Sequence, residues 1–590
     1  MDKNNLDQLR HSCAHLIAAA VLQIWPNTKL TLGPSIDNGF YYDFDFGEIK
    51  VSENDFSKIE QKMHQIVKSW SKFEKIELTN NEAMKQWNNN EYKKELIQEI
   101  NNRKETITAY KSGGFVDLCQ GGHVGDPKEA LKHFKLLSIA GAYWHGDEKN
   151  KMLTRIYGIC FPTKEELDKY LWQKEEAKKR DHRKLGHELD LFVISENIGK
   201  GLPLLTPKGT VIREEILKLE YELERKNGFQ HVVTPHIAKS EMYKKTGHWQ
   251  HYHNVMYEPF GIDGEEYVLK PMNCPHHYMI YASRPRSYRE LPMRLSEPGT
   301  CYRFEKTGEL SGLLRVRALS IDDSHILMRD DQIEGEFKRC IEMVRKIFEA
   351  FQLKDYYVRL SLADPSDAVK YITDEKTWKK AGNKLEKVVK DNKLKYVIAK
   401  GEASFYGPKI DFMVKDSLGR EWQMSTLQLD FFMGEKLDLK YIDEKGEEKH
   451  PVILHRGLTG SLERTLAILI EHYAGAFPLW LSPIQVAILP LSDKFIDYSK
   501  KIKEELEKNK IRVELNDENK TLGGKIRQST LQKIPYMIII GEKEFQRSKI
   551  KDQKADELFV SVRSRDGKDL GMLDVNKFIN QLKSQIQNFS

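Results

Sequence analysis

One stretch divides the chain before any motif is considered. Residues 163–189, TKEELDKYLWQKEEAKKRDHRKLGHEL, are densely charged, lack glycine and proline up to residue 185, and carry apolar residues at helical spacing. Such a run reads as a connecting helix rather than part of a core. A 590-residue chain cut in this way cannot bury its side chains around one core, and about three domains are expected. We divide it into residues 1–160, a connector 161–186, a long mixed region 187–480 and a C-terminal segment 481–590.

The segments differ in pattern. Helical and strand patterns alternate through 1–160, around the glycine-rich GGFVDLCQGGHVGDP, which predicts an α+β domain. In 187–480, strands such as RLSEPGTCYRFE, RVRALSIDDSHIL and PVILHRGL follow no regular strand, helix, strand rhythm, so a largely antiparallel sheet is expected. After residue 481, IQVAILPL, DKFIDYSKKIKEELEKNK, IRVEL, LGGKIRQSTLQK and PYMIIIGE do alternate, which predicts a small α/β domain with a parallel core.

Composition narrows the setting. Six scattered cysteines without a C-x-x-C pair argue for a reducing compartment. No apolar run is long enough for a bilayer, and the start MDKNNLDQLRHSCAHL lacks the organisation of a signal peptide. A cytoplasmic protein without a membrane partner is expected. Of the net charge of +6, most sits in residues 481–590, where 21 Lys and Arg face 16 Asp and Glu; this permits a nucleic-acid partner there without requiring one.

The chemistry concentrates in three places. In IDDSHIL, 321–327, strand alternation puts Asp323 and His325 on one face and Asp322 and Ser324 on the other. Cys274, in KPMNCPHH, and His455, ending an apolar strand, would complete a three-ligand zinc site with an open position, with His276 and His277 as competing ligands. Arg303, Arg315 and Arg464 sit in strand or helix-start contexts and suit phosphate oxygens, ion pairing with Glu305 or Glu463 being the ordinary alternative. Near the N-terminus, HSCAH sets His11 and His15 on one helical face and CQGGH adds Cys119 and His123. That spacing suits a small folding zinc, while the missing glutamate of H-E-x-x-H disfavours a metalloprotease.

Longer stretches carry a resemblance. GTCYRFEKTGELSGLLRVRALSIDDSHI and RGLTGSLERTLAILIE resemble motifs 2 and 3 of class II aminoacyl-tRNA synthetases, and NGFQHVVTPHI resembles motif 1, with Pro235 as its proline. With KPMNCP, TGHWQHY, SFYGPKIDF and EWQMSTLQLDF, the chain resembles the bacterial-type threonyl-tRNA synthetases from its first residues to its last. The resemblance implies ligation of L-threonine to tRNA(Thr) by way of a threonyl-adenylate, in a homodimer. Cys274, His325 and His455 would hold one zinc per subunit, and Asp323 and Tyr406 would contact threonine. Arg303, Glu305, Arg315, Gln423, Gln428, Ser461 and Arg464 would line the site for ATP, with its magnesium, and the adenylate, and His248 would lie by the terminal ribose.

In the same way, His11, His15, Lys93, Asp117, Cys119 and His123 match an editing site that hydrolyses mischarged seryl-tRNA, for which the family implies no metal. Arg563 matches an anticodon-domain contact. There are departures: HSCAH begins at residue 11, so the family's leading ubiquitin-like domain is expected to be missing. Leu319, Ile321 and Ser311 replace an aromatic, a glutamine and a histidine, CQGGH replaces CRGPH, and FQRSKIKDQKADEL, 545–558, reads as an insertion. Two other readings stay open, a non-catalytic regulator and a stand-alone editing hydrolase; the ATP and zinc residues argue against the first, and residues 187–480 against the second.

Overall fold

The computed structural model describes residues 3–589 except 38, 365, 368, 369, 373 and 550–556, so the centre of the expected insertion lies outside the described residues. The chain forms two compact units, Met1–Glu175 and Glu176–Ser590. In the first, the helix Lys3–Ile24 buries Leu9, Cys13, Leu16, Ile17 and Ala20, a stripe at spacings of three and four residues. That stripe packs on a sheet ordered Lys29–Leu30, Gly39–Asp45, Met152–Phe161, His133–Tyr143. A smaller sheet joins Glu74–Leu78, Ile107–Ser112 and Phe115–Leu118. Its last hairpin turns at Gly113, whose φ of 57° suits glycine, and delivers Asp117 and Cys119. The helix Glu91–Asn102 is capped by Asn90, which accepts from the Lys93 amide.

The connector is helical but broken. Lys164–Arg180 and His182–Glu188 are separated by Asp181, whose side chain caps the second helix by accepting from the Arg183 amide.

The second unit is built on an eight-stranded sheet: Gln230–His231, Met293–Tyr302, Ala318–Met328, Val452–Gly457, Glu421–Asp430, Lys409–Lys415, Tyr356–Leu362 and Tyr396–Lys400. Its pairs are antiparallel except the outermost pair at each edge. One face packs on helices. Ile326, Met328 and Leu454 join Ile212 and Ile216 of Pro207–Lys226, Phe337 and Ile341 of Ile333–Ala350, and Leu466 of Leu462–His472. On the other face Leu295, Leu327 and Ile453 meet Cys274, Tyr278 and Tyr406. Each buried aliphatic side chain contributes about 1.5 to 3 kcal/mol, so the helix face anchors the sheet.

The C-terminal sheet runs Val513–Leu515, Val486–Pro490, Tyr536–Ile540, Phe559–Ser564, Asp569–Asp574. Its first three strands are parallel, as expected, and the last two add antiparallel.

Candidate active sites

The central strands place the first cluster. Ala318–Met328 and Val452–Gly457 pair with His325 opposite His455, and Cys274 opens the helix Cys274–Ala282 beside them. Cys274 Sγ lies 3.7 Å from His455 Nδ1. On its other nitrogen, Nε2, His455 meets Asp430 Oδ2 at 3.2 Å. A carboxylate there accepts a hydrogen bond, so Nε2 carries the proton and Nδ1 is left as a bare lone pair facing the cysteine. His325 is fixed at one remove: Glu297 Oε1 is 3.2 Å from His277 Nε2, and His277 Nδ1 is 2.8 Å from His325 Nδ1. With His277 donating to the glutamate, its Nδ1 accepts from His325, and His325 Nε2 becomes a lone pair. That atom is buried and has no hydrogen-bond partner. Two imidazole lone pairs and a thiol converging on one point, His325 Nε2 among them without a partner, fit a zinc ion with an open position.

Here the expectation that His276 and His277 compete as ligands is corrected. His277 orients His325 from behind, and His276 contributes nothing to the cluster.

Around this centre, Asp323 Oδ2 accepts from Asn273 Nδ2 at 3.1 Å and stays partly open. Tyr406 stacks on His455 with ring centroids 4.6 Å apart and donates to Gln428 Oε1 at 2.5 Å. His248 is buried, its Nδ1 2.7 Å from Thr246 Oγ1 and its Nε2 without a partner. Burial first, then the neighbouring His455, pushes its pKa down to about 3, so the ring is neutral at pH 7.

The arginines come together, though not all where strand patterning put them. Arg303 follows the end of Met293–Tyr302, Arg315 lies in a turn, and only Arg464 is in the first turn of a helix, capped by Ser461, whose Oγ accepts from the Arg464 amide. Arg315 Nε bonds Glu305 Oε2 at 2.8 Å, and Arg315 also reaches Glu309. Among the described residues Arg303 and Arg464 have no ion-pair partner. Burial, then Arg303 and Arg315, lowers the pKa of Arg464: like charges are held together with too few acids, which is what a polyanion site requires. Gln423 Nε2 donates to Asp411 Oδ1 at 2.9 Å. Leu319 and Ile321 pack with Cys301 and Val316, and Ile321 bridges Ser461 through the backbone, so the departures in this motif form a small apolar patch. Ser311 is bridged to Arg315.

The second cluster lies wholly in the first unit, in a cleft of about 550 Å³ lined by His11, His15, Lys93, Asp117, Cys119 and Gln120. His11 Nδ1 meets the Gly33 carbonyl at 3.2 Å and its Nε2 lies 3.0 Å from Cys119 Sγ. His123 Nε2 is 3.3 Å from the same sulfur. Lys93 Nζ pairs with Asp117 Oδ1 at 2.5 Å, and His15 Nδ1 is 3.7 Å from Asp117 Oδ2. Burial lowers the pKa of His11 and His15, takes His123 down to about 2, and pushes the Cys119 thiol up to about 11. Three neutral imidazoles and a buried ammonium–carboxylate pair can take a proton from water and stabilise an oxyanion.

Three family models match the chain: the tRNA synthetase class II core domain (G, H, P, S and T) over residues 258–473, an anticodon binding domain over 485–585, and the threonyl and alanyl tRNA synthetase second additional domain over 107–157. A threonine–tRNA ligase from a Geobacillus species is 47% identical over 555 residues, covering 94% of this chain and 86% of that relative. One from Staphylococcus carnosus is 46% identical over 99% of this chain and 88% of its own length. The chain belongs to the threonine–tRNA ligase family. It is a class II aminoacyl-tRNA synthetase. A crystal structure of the RNA binding domain of threonyl-tRNA synthetase from Cryptosporidium parvum matches with a TM-score of 0.64 and 33% identity, over 69% of this chain and 98% of that one. As the class implies, its substrates are ATP with magnesium, an amino acid and tRNA; among the described residues no helix is long and apolar enough to cross a membrane.

For a threonine–tRNA ligase, the remaining assignment is Arg563. It lies in Phe559–Ser564 and lines a separate cleft with Gly541 and Glu544, its Nε buried without a partner. Several side chains that shape the sites carry no motif. Tyr42 donates to Asp117 Oδ2 at 2.6 Å, Asp430 and Glu297 set the histidine tautomers, and Asp411 is a fully buried hub for Gln423, Thr426, Ser361 and Lys409. Period-two patterning marks Tyr42 as one of two adjacent tyrosines without saying which faces the cleft.

Proposed function

We propose that this chain activates L-threonine with ATP, transfers it to tRNA(Thr), and hydrolyses seryl-tRNA(Thr) in its N-terminal cleft. The observation that carries the reading is the convergence of His325 Nε2, His455 Nδ1 and Cys274 Sγ beside Asp323, with the tautomers fixed from behind. Cys274, His325 and His455 would hold one zinc per subunit, which when bound offers a coordination position to the amino and hydroxyl groups of threonine. Asp323 accepts the hydrogen bond of that hydroxyl. Valine has none, and a site that demands a hydrogen bond rejects an analogue lacking it far better than an apolar pocket does. Tyr406 closes the pocket against His455.

The threonine carboxylate then attacks the α-phosphorus of ATP and pyrophosphate leaves. Arg303 at the α-phosphate and Arg464 at the γ-phosphate stabilise the charge that builds on the oxygens, beside magnesium. Glu305 exchanges its pairing with Arg315 for the adenine, freeing Arg315 for phosphate, while Gln423 and Gln428, braced by Asp411 and Tyr406, line the adenylate. His248, neutral, accepts a proton at the ribose hydroxyl during transfer.

Serine keeps the hydroxyl, and its missing methyl changes binding by only about 1 to 3 kcal/mol, so a hydrolytic step is needed. In the N-terminal cleft the neutral histidines activate water while the Lys93–Asp117 pair holds the ester. Homodimer formation through the 230–239 segment is supported by Val233, 96% exposed two residues before Pro235. The division into residues 1–160, 161–186, 187–480 and 481–590 and a cytoplasmic location complete the reading, with Arg563 contacting the anticodon. Threonine-dependent pyrophosphate exchange by protein carrying one zinc per chain, together with deacylation of seryl-tRNA(Thr), tests it. No exchange by the zinc-loaded dimer would overturn it.

A further inference from the structure

Asp322 and Ser324, on the reverse side of the strand that carries Asp323 and His325, have no part in the chemistry above, yet both are buried. They meet Arg456, which likewise stands behind His455 on the neighbouring strand. Arg456 Nη2 donates to Asp322 Oδ1 at 3.0 Å, to Ser324 Oγ, to Ser296 Oγ at 3.4 Å and to Glu224 Oε1. Glu224 belongs to the helix Pro207–Lys226, and Glu220, one turn earlier, accepts from Thr459 Oγ1. Asp322 Oδ2 accepts the amides of Leu458 and Thr459, at 2.5 and 3.1 Å. Phe229 lies under the guanidinium, 4.8 Å from its carbon to the ring centroid.

A group of this kind does not stabilise a fold better than apolar packing would, because desolvating the charges offsets most of their attraction. What it supplies is uniqueness. Below it the two strands pair Ile326 with Leu454, Leu327 with Ile453 and Met328 with Val452, aliphatic against aliphatic at each step. A slip of one residue would turn every side chain to the wrong face, but a slip of two would leave the same alternation buried. The polar group tells these apart, since Ser324 sits opposite Arg456 in the register that puts His325 opposite His455.

We propose that Glu224, Asp322, Ser324 and Arg456 form a register lock, whose function is to hold His325, His455 and Asp323 in the geometry that selects threonine. They are positioning residues: none touches substrate, and each acts through its neighbour on the opposite face. The proposal rests on reading that face as the threonine and zinc site, so His325→Ala is the control. If that variant keeps zinc and threonine-dependent exchange, the site reading fails, and the lock with it.

The test compares three full-length variants. Glu224→Gln weakens the lock, the triple variant Glu224→Met, Asp322→Asn and Arg456→Met replaces all its charges by neutral groups of similar length, and Ile216→Val perturbs the same helix outside it. Expected is at least a tenfold rise in KM for threonine and at least tenfold faster loss of zinc to a chelator in the first two. Ile216→Val should keep both wild-type values at a comparable drop in Tm. The triple variant is decisive because it leaves no charge of the group buried without a partner, even where the single one misfolds. If it is folded with wild-type KM and zinc retention, the group is structural filling and the proposal is overturned.

Discussion

Two clusters of cysteine and histidine, similar in composition and both close enough to hold a metal ion, differ in how their atoms are satisfied. In the central cluster both histidines are turned inward by a partner behind them: Asp430 for His455, and Glu297 through His277 for His325. The result is a buried group with one lone pair, on His325 Nε2, that no other protein atom satisfies. The N-terminal cluster opens onto a cleft of about 550 Å³, and its sulfur already accepts from the Gly121 amide and contacts two histidines. Beside it stands an ammonium, Lys93, locked to Asp117. Residue type alone therefore does not distinguish the two. The surroundings that aim each nitrogen do.

The largest test of the contrast is His325→Ala. Metal content should fall from one zinc per chain to none, by elemental analysis, with threonine-dependent pyrophosphate exchange down by about 10³-fold or more, the scale at which metal-assisted chemistry operates. His11→Ala should leave zinc content and exchange untouched. A shared metal dependence of the two clusters would break the comparison.

Next comes Lys93→Ala, expected to slow deacylation of seryl-tRNA(Thr) by about 10²-fold, a charge-stabilising group's usual share, with aminoacylation by threonine unchanged. Both reactions can be followed on one preparation with labelled tRNA. Equal losses in both would mean the cleft serves the fold rather than the hydrolysis. Third, His277→Ala removes an orienting partner and no ligand, and zinc affinity should weaken by about 10- to 100-fold in competition with a chelator.

How much of this could be read in the residues depended on whether the partners were neighbours in sequence. Arg303, Asp323, His325 and Arg464 were legible because contiguous motifs carry them, and HSCAH and CQGGH stood out by spacing. The largely antiparallel central sheet and the parallel C-terminal core followed from the presence or absence of a strand, helix, strand alternation. Asp430, Glu297, Asp411 and Glu224 were not legible. Each is an ordinary acid in an ordinary helix or strand, and acts on a partner placed beside it only by the fold, as Glu224 does on Arg456 232 residues away. His277 was visible but misread as a ligand, because proximity to Cys274 in sequence does not say which way a ring points. The break in the connector was signalled by Asp181, a good capping residue before a short helix, and was hidden by the charge pattern around it.

The smallest expected effect sharpens the contrast through pH. The unfolded chain binds protons at its histidines below about 6.5, while burial holds His123 near 2 and lowers His11 and His15. A group whose folded pKa is depressed in this way makes the fold less stable as pH drops from about 7 through 6.5 and beyond, by up to about 1.4 kcal/mol per pH unit for each histidine. Hydrogen exchange of amides in Lys3–Ile24 between pH 7 and 5 should show that slope, and His123→Asn should make it shallower. An unchanged slope would mean that His123 is not held neutral.

The three guanidiniums proposed to meet the nucleotide, Arg303, Arg315 and Arg464, stand close together. A pocket that keeps like charges close while it waits is one that any multivalent anion will relax, not only its nucleotide. Inorganic phosphate or pyrophosphate should raise the thermal midpoint of the free enzyme. With such an ion seated, turnover in phosphate buffer would begin with its displacement, and the apparent KM for ATP would report a competition rather than an affinity.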